Sequence, residues 1–244
     1  MTCHLRVGRF FSSILLATTF AAHAVDPHPA EYAIRWDPAD GGPKSAAETW
    51  AKLELADGDK DTFNIWYSTV SAPPNLPNGF KAIVRERQKT NKKKYELTYK
   101  HRGQVPLPAT PSLAQWTCPV GATDEKKDEV DVSFYGLTNV VHAYSRSCTV
   151  ESKDAPPVIP KALKTKRADC KSTVTRLKLE KLTVEEWHVP GPGKRTIIEV
   201  SQSGADTNVD LGMFRDRIAK KLVEEYKIKP SKSSMTELGS SCGS

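Results

Sequence analysis

The sequence predicts an α+β fold in which antiparallel strands dominate and a few helices flank them. Three observations carry this. Nine short runs alternate apolar and polar residues with a period of two, only two stretches repeat apolar residues at helical spacing, and Pro- and Gly-rich turn chemistry separates the runs.

The chain opens with a different kind of segment. Arg6 and Arg9 precede an apolar stretch from Phe10 to Ala22, and Ala22-His23-Ala24 supplies the small-x-small triplet of a secretory signal. The expectation is a leader over residues 1–24, cleaved on export, and a periplasmic or secreted mature protein with no membrane attachment. Its removal leaves 220 of 244 residues, enough for one large domain, and lowers the net charge from +7 to +5. That mild excess is spread among many acids and does not call for nucleic acid.

Cys118, Cys148, Cys170 and Cys242 remain after the leader, in a compartment where thiols oxidise. Four cysteines allow three pairings. Cys118–Cys148 with Cys170–Cys242 is the expected one, because it clips a long insertion and the tail to the body.

The first run is Glu31 to Trp36, ended by Asp37-Pro38 and Gly41-Gly42-Pro43. Ser45 caps a helix with Ala47, Trp50, Ala51 and Leu55 on its apolar side. Runs at 62–69, 80–88 and 95–101 then form a meander. After a loop over 103–127 the runs resume at 129–135, 142–151, 172–180, 183–189 and 195–202. A second helix carries Leu211, Phe214, Ile218 and Leu222, with its cap at Asn208 or Asp210, and the Ser- and Gly-rich tail beyond Pro230 reads as loose apart from Cys242.

Alternation sorts the runs into faces. Lys81, Arg85 and Arg87 oppose Phe80, Ala82 and Val84; Glu96, Thr98 and Lys100 oppose Tyr95, Leu97 and Tyr99. Glu129, Asp131 and Ser133 share a face, as do Arg195, Glu199 and Ser201, Arg176 and Lys178, and Glu186 and His188. Two architectures fit: an open sheet with one wet side, or a closed barrel with the polar faces inward. The second gives a lumen rich in Arg and Lys, with a few carboxylates, that suits a polyanion.

The order of motifs resembles the CYTH family, the triphosphate tunnel proteins named for adenylyl cyclase and thiamine triphosphatase. The family's opening Glu-x-Glu-x-Lys strand is matched by Glu31-Tyr32-Ala33-Ile34-Arg35, and an aromatic-rich strand by Asp61 to Thr69. Arg85-Glu86-Arg87, Leu97-Thr98-Tyr99-Lys100, Glu129-Val130-Asp131, the strand with Arg146, the strand with Arg176 and Lys178, and Glu199-Val200-Ser201 follow in order. The likeness covers residues 31 to about 238. It implies an antiparallel eight-stranded barrel, with flanking helices, spanning one domain over residues 25–238 and followed by a tail over 239–244.

The resemblance further implies a tunnel that grips a triphosphate or polyphosphate and holds Mg²⁺ or Mn²⁺. Its phosphate contacts would be Arg35, Arg85, Arg87, Lys100, Arg146 and Arg176. Its metal ligands would be Glu31, Glu129, Asp131 and Glu199, with Glu31 and Glu199 in catalytic roles. Two positions depart from the pattern, Ala33 and Ser201, each where the family carries a carboxylate. Hard cations are held mainly by such groups, so the expected function is binding of a phosphate-rich anion with catalysis weakened or lost. Glu186 is one source of a replacement acid. A metal-dependent polyphosphatase or triphosphatase, and an exported β-rich interaction domain, are the alternatives. No Gly-x-Ser-x-Gly elbow or zinc spacing accompanies His101, His142 and His188.

Overall fold

The computed structural model describes residues 27–90, 92–107, 113–122, 125–191 and 194–242. The expected leader over 1–24 lies outside the described residues. The strands are β1 (Pro29–Trp36), β2 (Asp59–Val70), β3 (Phe80–Lys89), β4 (Lys94–Gly103), β5 (Glu125–Phe134), β6 (Val140–Ser152), β7 (Thr165–Arg167), β8 (Ser172–Leu179), β9 (Leu182–Val189) and β10 (Arg195–Ala205). Their order is β3-β4-β6-β5-β1-β10-β9-β8-β2, and the pairing of β2 with β3 closes the ring. The short β7 adds to the edge of β2 beyond the end of β8.

The closed barrel with flanking helices is the tunnel architecture expected from the resemblance, with two corrections. It has nine strands rather than eight, one for each alternating run in the sequence, and β1 runs parallel to β5 while the other neighbours are antiparallel. Alternation reports which face a residue occupies but not the direction of its neighbour, so the parallel pair left no trace in the periodicity.

Much of the hydrophobic core lies outside the barrel. Tyr32, Ile34 and Trp36 of β1, Val130, Val132 and Phe134 of β5, and Ile198 and Val200 of β10 point outward. They are covered by Phe214, Ile218 and Leu222, and by Ala46 of the helix α1 (Ala46–Lys52). Helix α2 (Asn208–Phe214) runs on through π-type turns at Arg215–Ala219 and Lys221–Glu225. Full burial of each large apolar side chain contributes about 1.5–3 kcal/mol. The cap of α1 is as expected, Ser45 Oγ accepting from Glu48 N at 3.0 Å. The cap of α2 is Thr207, whose Oγ1 accepts from Asp210 N at 3.1 Å, rather than Asn208 or Asp210.

A second outer cluster forms where the 113–122 segment lies over β4 and β6, burying Trp116 and Val120 against Leu97 and Tyr99. The Cys118–Cys148 disulfide fastens it. Cys170–Cys242 is the other bridge, so both expected pairings are present. Cross-links of this span stabilise by about 3–5 kcal/mol in the chain-entropy picture.

The tail departs from its expected looseness. Ser234 caps a short helix, α3 (Met235–Ser240), and Met235 and Leu238 are buried with Ile65, Tyr67, Val174, Trp187, Val189 and Ile197. Cys242 then anchors the tail to Cys170.

Candidate functional site

Strand parity brings the predicted polar faces to one interior. Arg85 and Arg87 of β3, Thr98 and Lys100 of β4, Glu129, Asp131 and Ser133 of β5, Arg176 and Lys178 of β8, and Glu199 and Ser201 of β10 all line a cavity of ≈ 370 Å³. Glu31, Ala33 and Arg35 of β1 face it too. The lumen is not mainly basic, however. Eight cations (Arg35, Arg85, Arg87, Lys100, Arg102, Lys127, Arg176 and Lys178) meet eight acids (Glu31, Glu96, Glu125, Glu129, Asp131, Glu151, Glu185 and Glu199) among the described lining residues.

These charges are segregated. On one wall, Glu31 and Asp131 are register partners on the parallel strands, and carboxylate oxygens of Glu31, Glu129 and Asp131 lie within 4.8 Å of one another. Lys100 Nζ is 3.3 Å from Glu129 and 3.2 Å from Asp131, and Arg102 Nε is 3.0 Å from Asp131. Burial works against the charge on Asp131, but Lys100 and Arg102 outweigh it and hold its pKa below the ordinary value. Burial likewise opposes the Lys100 ammonium, and Asp131 and Glu129 override it so that its pKa is raised. Glu31 behaves otherwise: burial, then the charges of Glu199, Glu129 and Asp131, push its pKa from 4.5 to about 7.

A lower row runs across β1, β10, β9, β8 and β2 as Arg35, Glu199, Glu185, Arg176 and Asp61 in direct register. Arg35 forms an ion pair with Glu199, and its Nη1 donates to Ser133 Oγ at 3.2 Å. Arg176 Nη2 donates to Asp61 at 2.8 Å, and Lys89 is paired with the same acid. Between the two rows lies an uncharged belt. Ser133, Ala33, Ser201 and Thr183 are successive partners across β5, β1, β10 and β9. The two positions that depart from the family pattern are therefore adjacent, and together they empty one corner of the lumen of charge.

The opposite wall is an arginine corner. The guanidinium carbons of Arg87 and Arg176 lie 4.8 and 4.6 Å from the centre of the Phe63 ring. Arg87 Nε donates to Glu96 at 2.6 Å. Burial and then the neighbouring charge of Arg85 lower the Arg87 pKa, with Arg176 adding to the effect. Arg85 Nη2 donates to Thr98 Oγ1 at 3.4 Å, and among the described residues the buried Nε atoms of Arg85 and Arg176 have no hydrogen-bond partner. Buried donors in this state carry a desolvation cost that an arriving acceptor removes.

Two expected residues are not brought to these groups. Arg146 lies outside the barrel under the 113–122 segment, forming two 2.7 Å hydrogen bonds with Asp128 and sitting 5.7 Å from the Trp116 ring. It shares a face with Cys148, two residues on, whose disulfide to Cys118 is on the outside. That parity is a signal the motif order overrode. Glu199 faces the lumen and its charge acts on Glu31, but it is paired with Arg35 and is not one of the three clustered acids.

Glu186, the suggested replacement acid, is also outside, accepting from Ala46 N at 2.9 Å and lying 3.0 Å from His188 Nε2. Its neighbour Glu185 is the inward one, half-buried, with its pKa raised chiefly by desolvation and its Oε2 accepting from Trp187 Nε1 at 2.9 Å. Arg102 lies one residue past the end of the alternating run at His101, because β4 continues to Gly103. Glu96 was placed on the right face but given no role.

No family model matches the chain, and no curated protein does. Solved structures do. A Hippeastrum protein described as an adenylyl cyclase with a dominant triphosphatase activity aligns at 10% identity and a TM-score of 0.48, over 88% of this chain and 95% of its own. A Pyrococcus horikoshii protein aligns at 15% identity and a TM-score of 0.47, over 85% and 98%. A Vibrio parahaemolyticus protein assigned by name to the adenylate cyclases aligns at 9% and 0.44, over 88% and 98%.

Proposed function

We propose that this chain is an exported, CYTH-like tunnel protein that binds a phosphate-rich anion, a polyphosphate or triphosphate, in its lumen. The observation that carries the reading is the arginine corner. Arg87 and Arg176 lie over Phe63 with Arg85 beside Arg87, and among the described residues the buried Nε atoms of Arg85 and Arg176 are without a partner. Like charges so placed repel one another, Glu96, Asp61 and Glu185 offset this only in part, and a phosphate oxygen accepts from guanidinium donors in the geometry they offer. Arg35 and Lys100, now turned to Glu199 and to Glu129 and Asp131, are further contacts for a chain that extends across the lumen.

Export rests on the leader sequence, and the two disulfides accord with an oxidising compartment.

A second reading, metal-assisted hydrolysis, is favoured by the convergence of Glu31, Glu129 and Asp131 within 4.8 Å. Their oxygens fit a hard divalent ion such as Mg²⁺ or Mn²⁺, which when bound would neutralise and polarise a phosphoryl group. The Lys100 ammonium competes for two of these acids, and the neutral belt through Ala33 and Ser201 withholds two more. Binding is therefore the primary reading and turnover the secondary one. A phosphate-release assay on tripolyphosphate with Mg²⁺ or Mn²⁺, run beside calorimetry in EDTA, separates them. Saturable binding with no release is expected; release that disappears in Glu31→Gln would make the protein a hydrolase.

A further inference from the structure

Outside the barrel, the face formed by β2, β3 and β4 carries a second cavity, of ≈ 260 Å³. That is near the lower end of the size range of small-molecule pockets. Trp66 and Glu86 are register partners on β2 and β3, Gln88 and Tyr95 are partners on β3 and β4, and all four are half-buried. Parity sets them on the outer face, since their chain neighbours Tyr67, Arg87 and Glu96 line the lumen. The two aromatic residues thus stand two strands apart, about 10 Å, with Glu86 and Gln88 on the strand between them.

Arg167 of β7 bounds the cleft beside Trp66, its guanidinium carbon 4.7 Å from the centre of that ring and its Nε 3.1 Å from Glu86 Oε2. The carboxylate oxygen is buried, and the ion pair is not aligned as a hydrogen bond, so among the described residues this acceptor has no donor. Pro156 and Pro157 line the cleft as well, shortly after Ser152, the β6 partner of Tyr95.

Charge separates this cavity from the lumen. Glu86 and Arg167 cancel, as do Arg87 and Glu96 in its wall, so no net formal charge faces a ligand. A phosphate chain gains little there, and an organic cation finds Arg167 already on the indole. Flat aromatic walls with a few convergent polar groups suit a neutral polyhydroxylated ring instead. The C–H groups of such a ring, made slightly positive by its oxygens, rest on electron-rich aromatic faces, and its hydroxyls both donate and accept.

Independently of the anion-binding reading, we propose that the outer cleft binds a neutral saccharide, with one sugar ring between Trp66 and Tyr95. One hydroxyl donates to Glu86 Oε2, and others accept from Arg167 and exchange hydrogen bonds with the Gln88 amide. The prolines add apolar contact that is already rigid, so little entropy is lost on binding. The chain then carries two sites of different chemistry, an ionic one inside the barrel and a neutral one outside.

The test titrates the wild-type protein calorimetrically with cellotriose, maltotriose, mannotriose and triacetylchitotriose. At least one is expected to bind at a single site. Its affinity should fall about 10-fold or more in Trp66→Ala and in Tyr95→Ala, hold in Trp66→Phe, and be unchanged by saturating tripolyphosphate. Gln88→Ala, which removes a polar contact and no ring, should weaken it too. Binding of none of the four sugars, binding that survives both aromatic-to-alanine changes, or displacement by tripolyphosphate overturns the inference. Tighter binding of tetramethylammonium than of any sugar also overturns it, and makes the cleft a cation site.

Discussion

The two charged walls of the lumen contain the same kinds of residues and are in opposite states. On the acidic wall Lys100 and Arg102 neutralise Asp131 and Glu129, and beneath it Arg35 holds Glu199. In the arginine corner Glu96 serves Arg87 and Asp61 serves Arg176, but two buried Nε donors are left over and the guanidiniums stand against one another. An ion pair that is complete gains little from a ligand, whereas an incomplete one gains the desolvation it has already lost. On the proposed reading the arginine corner is the part of the lumen that gains from an anion, and on the acidic wall the Lys100 ammonium takes the place a cation would have.

The largest expected effect breaks the incomplete side. Arg85→Ala with Arg176→Ala should weaken tripolyphosphate binding by roughly 100-fold or more at fixed ionic strength, each charge-assisted contact being worth about 1.5–3 kcal/mol; calorimetry reads it. Arg146→Ala is the matched control outside the barrel. It should leave anion affinity unchanged and lower the unfolding free energy by about 3 kcal/mol, because it strands Asp128 and uncovers Trp116. Weakened anion binding in this variant would return Arg146 to the site.

A smaller effect tests the complete side. Lys100→Met removes the competing ammonium, so Mn²⁺ binding, followed by its electron spin resonance, should tighten by about 10-fold while the metal-free protein loses stability.

A last effect, spread over a pH range, concerns Glu31. Its folded pKa of about 7 exceeds its ordinary 4.5, so the folded state holds the extra proton between those values. Stability should therefore fall as pH rises from 4.5 to about 7, by at most on the order of 3 kcal/mol, and Glu31→Gln should flatten that slope in denaturant titrations.

Nine strands and the inward set on most of them were legible in the sequence, because a two-sided strand writes its faces as alternation. What failed were residues assigned by motif order without regard to parity. Arg146 shares the outer face with the disulfide-bonded Cys148, and Glu186 is one residue out of step with the inward Glu185. The tail helix was hidden by composition: a Ser- and Gly-rich tail reads as loose, although Ser234 and Glu237 stand at cap spacing and Met235 and Leu238 lie on one helical face. The charge balance of the lumen was hidden for another reason. Lys100 faces Glu129 and Asp131 only after β4, β6 and β5 are laid side by side, and no local pattern records that.

The most direct measurement is a calorimetric titration of the wild-type protein with tripolyphosphate in EDTA, repeated with the Arg85→Ala, Arg176→Ala double variant. One saturable site in the wild type, lost in the double variant, is the predicted result. Binding that needs added Mn²⁺, or that survives loss of both arginines, would contradict the account and move the ligand to the acidic wall or out of the lumen.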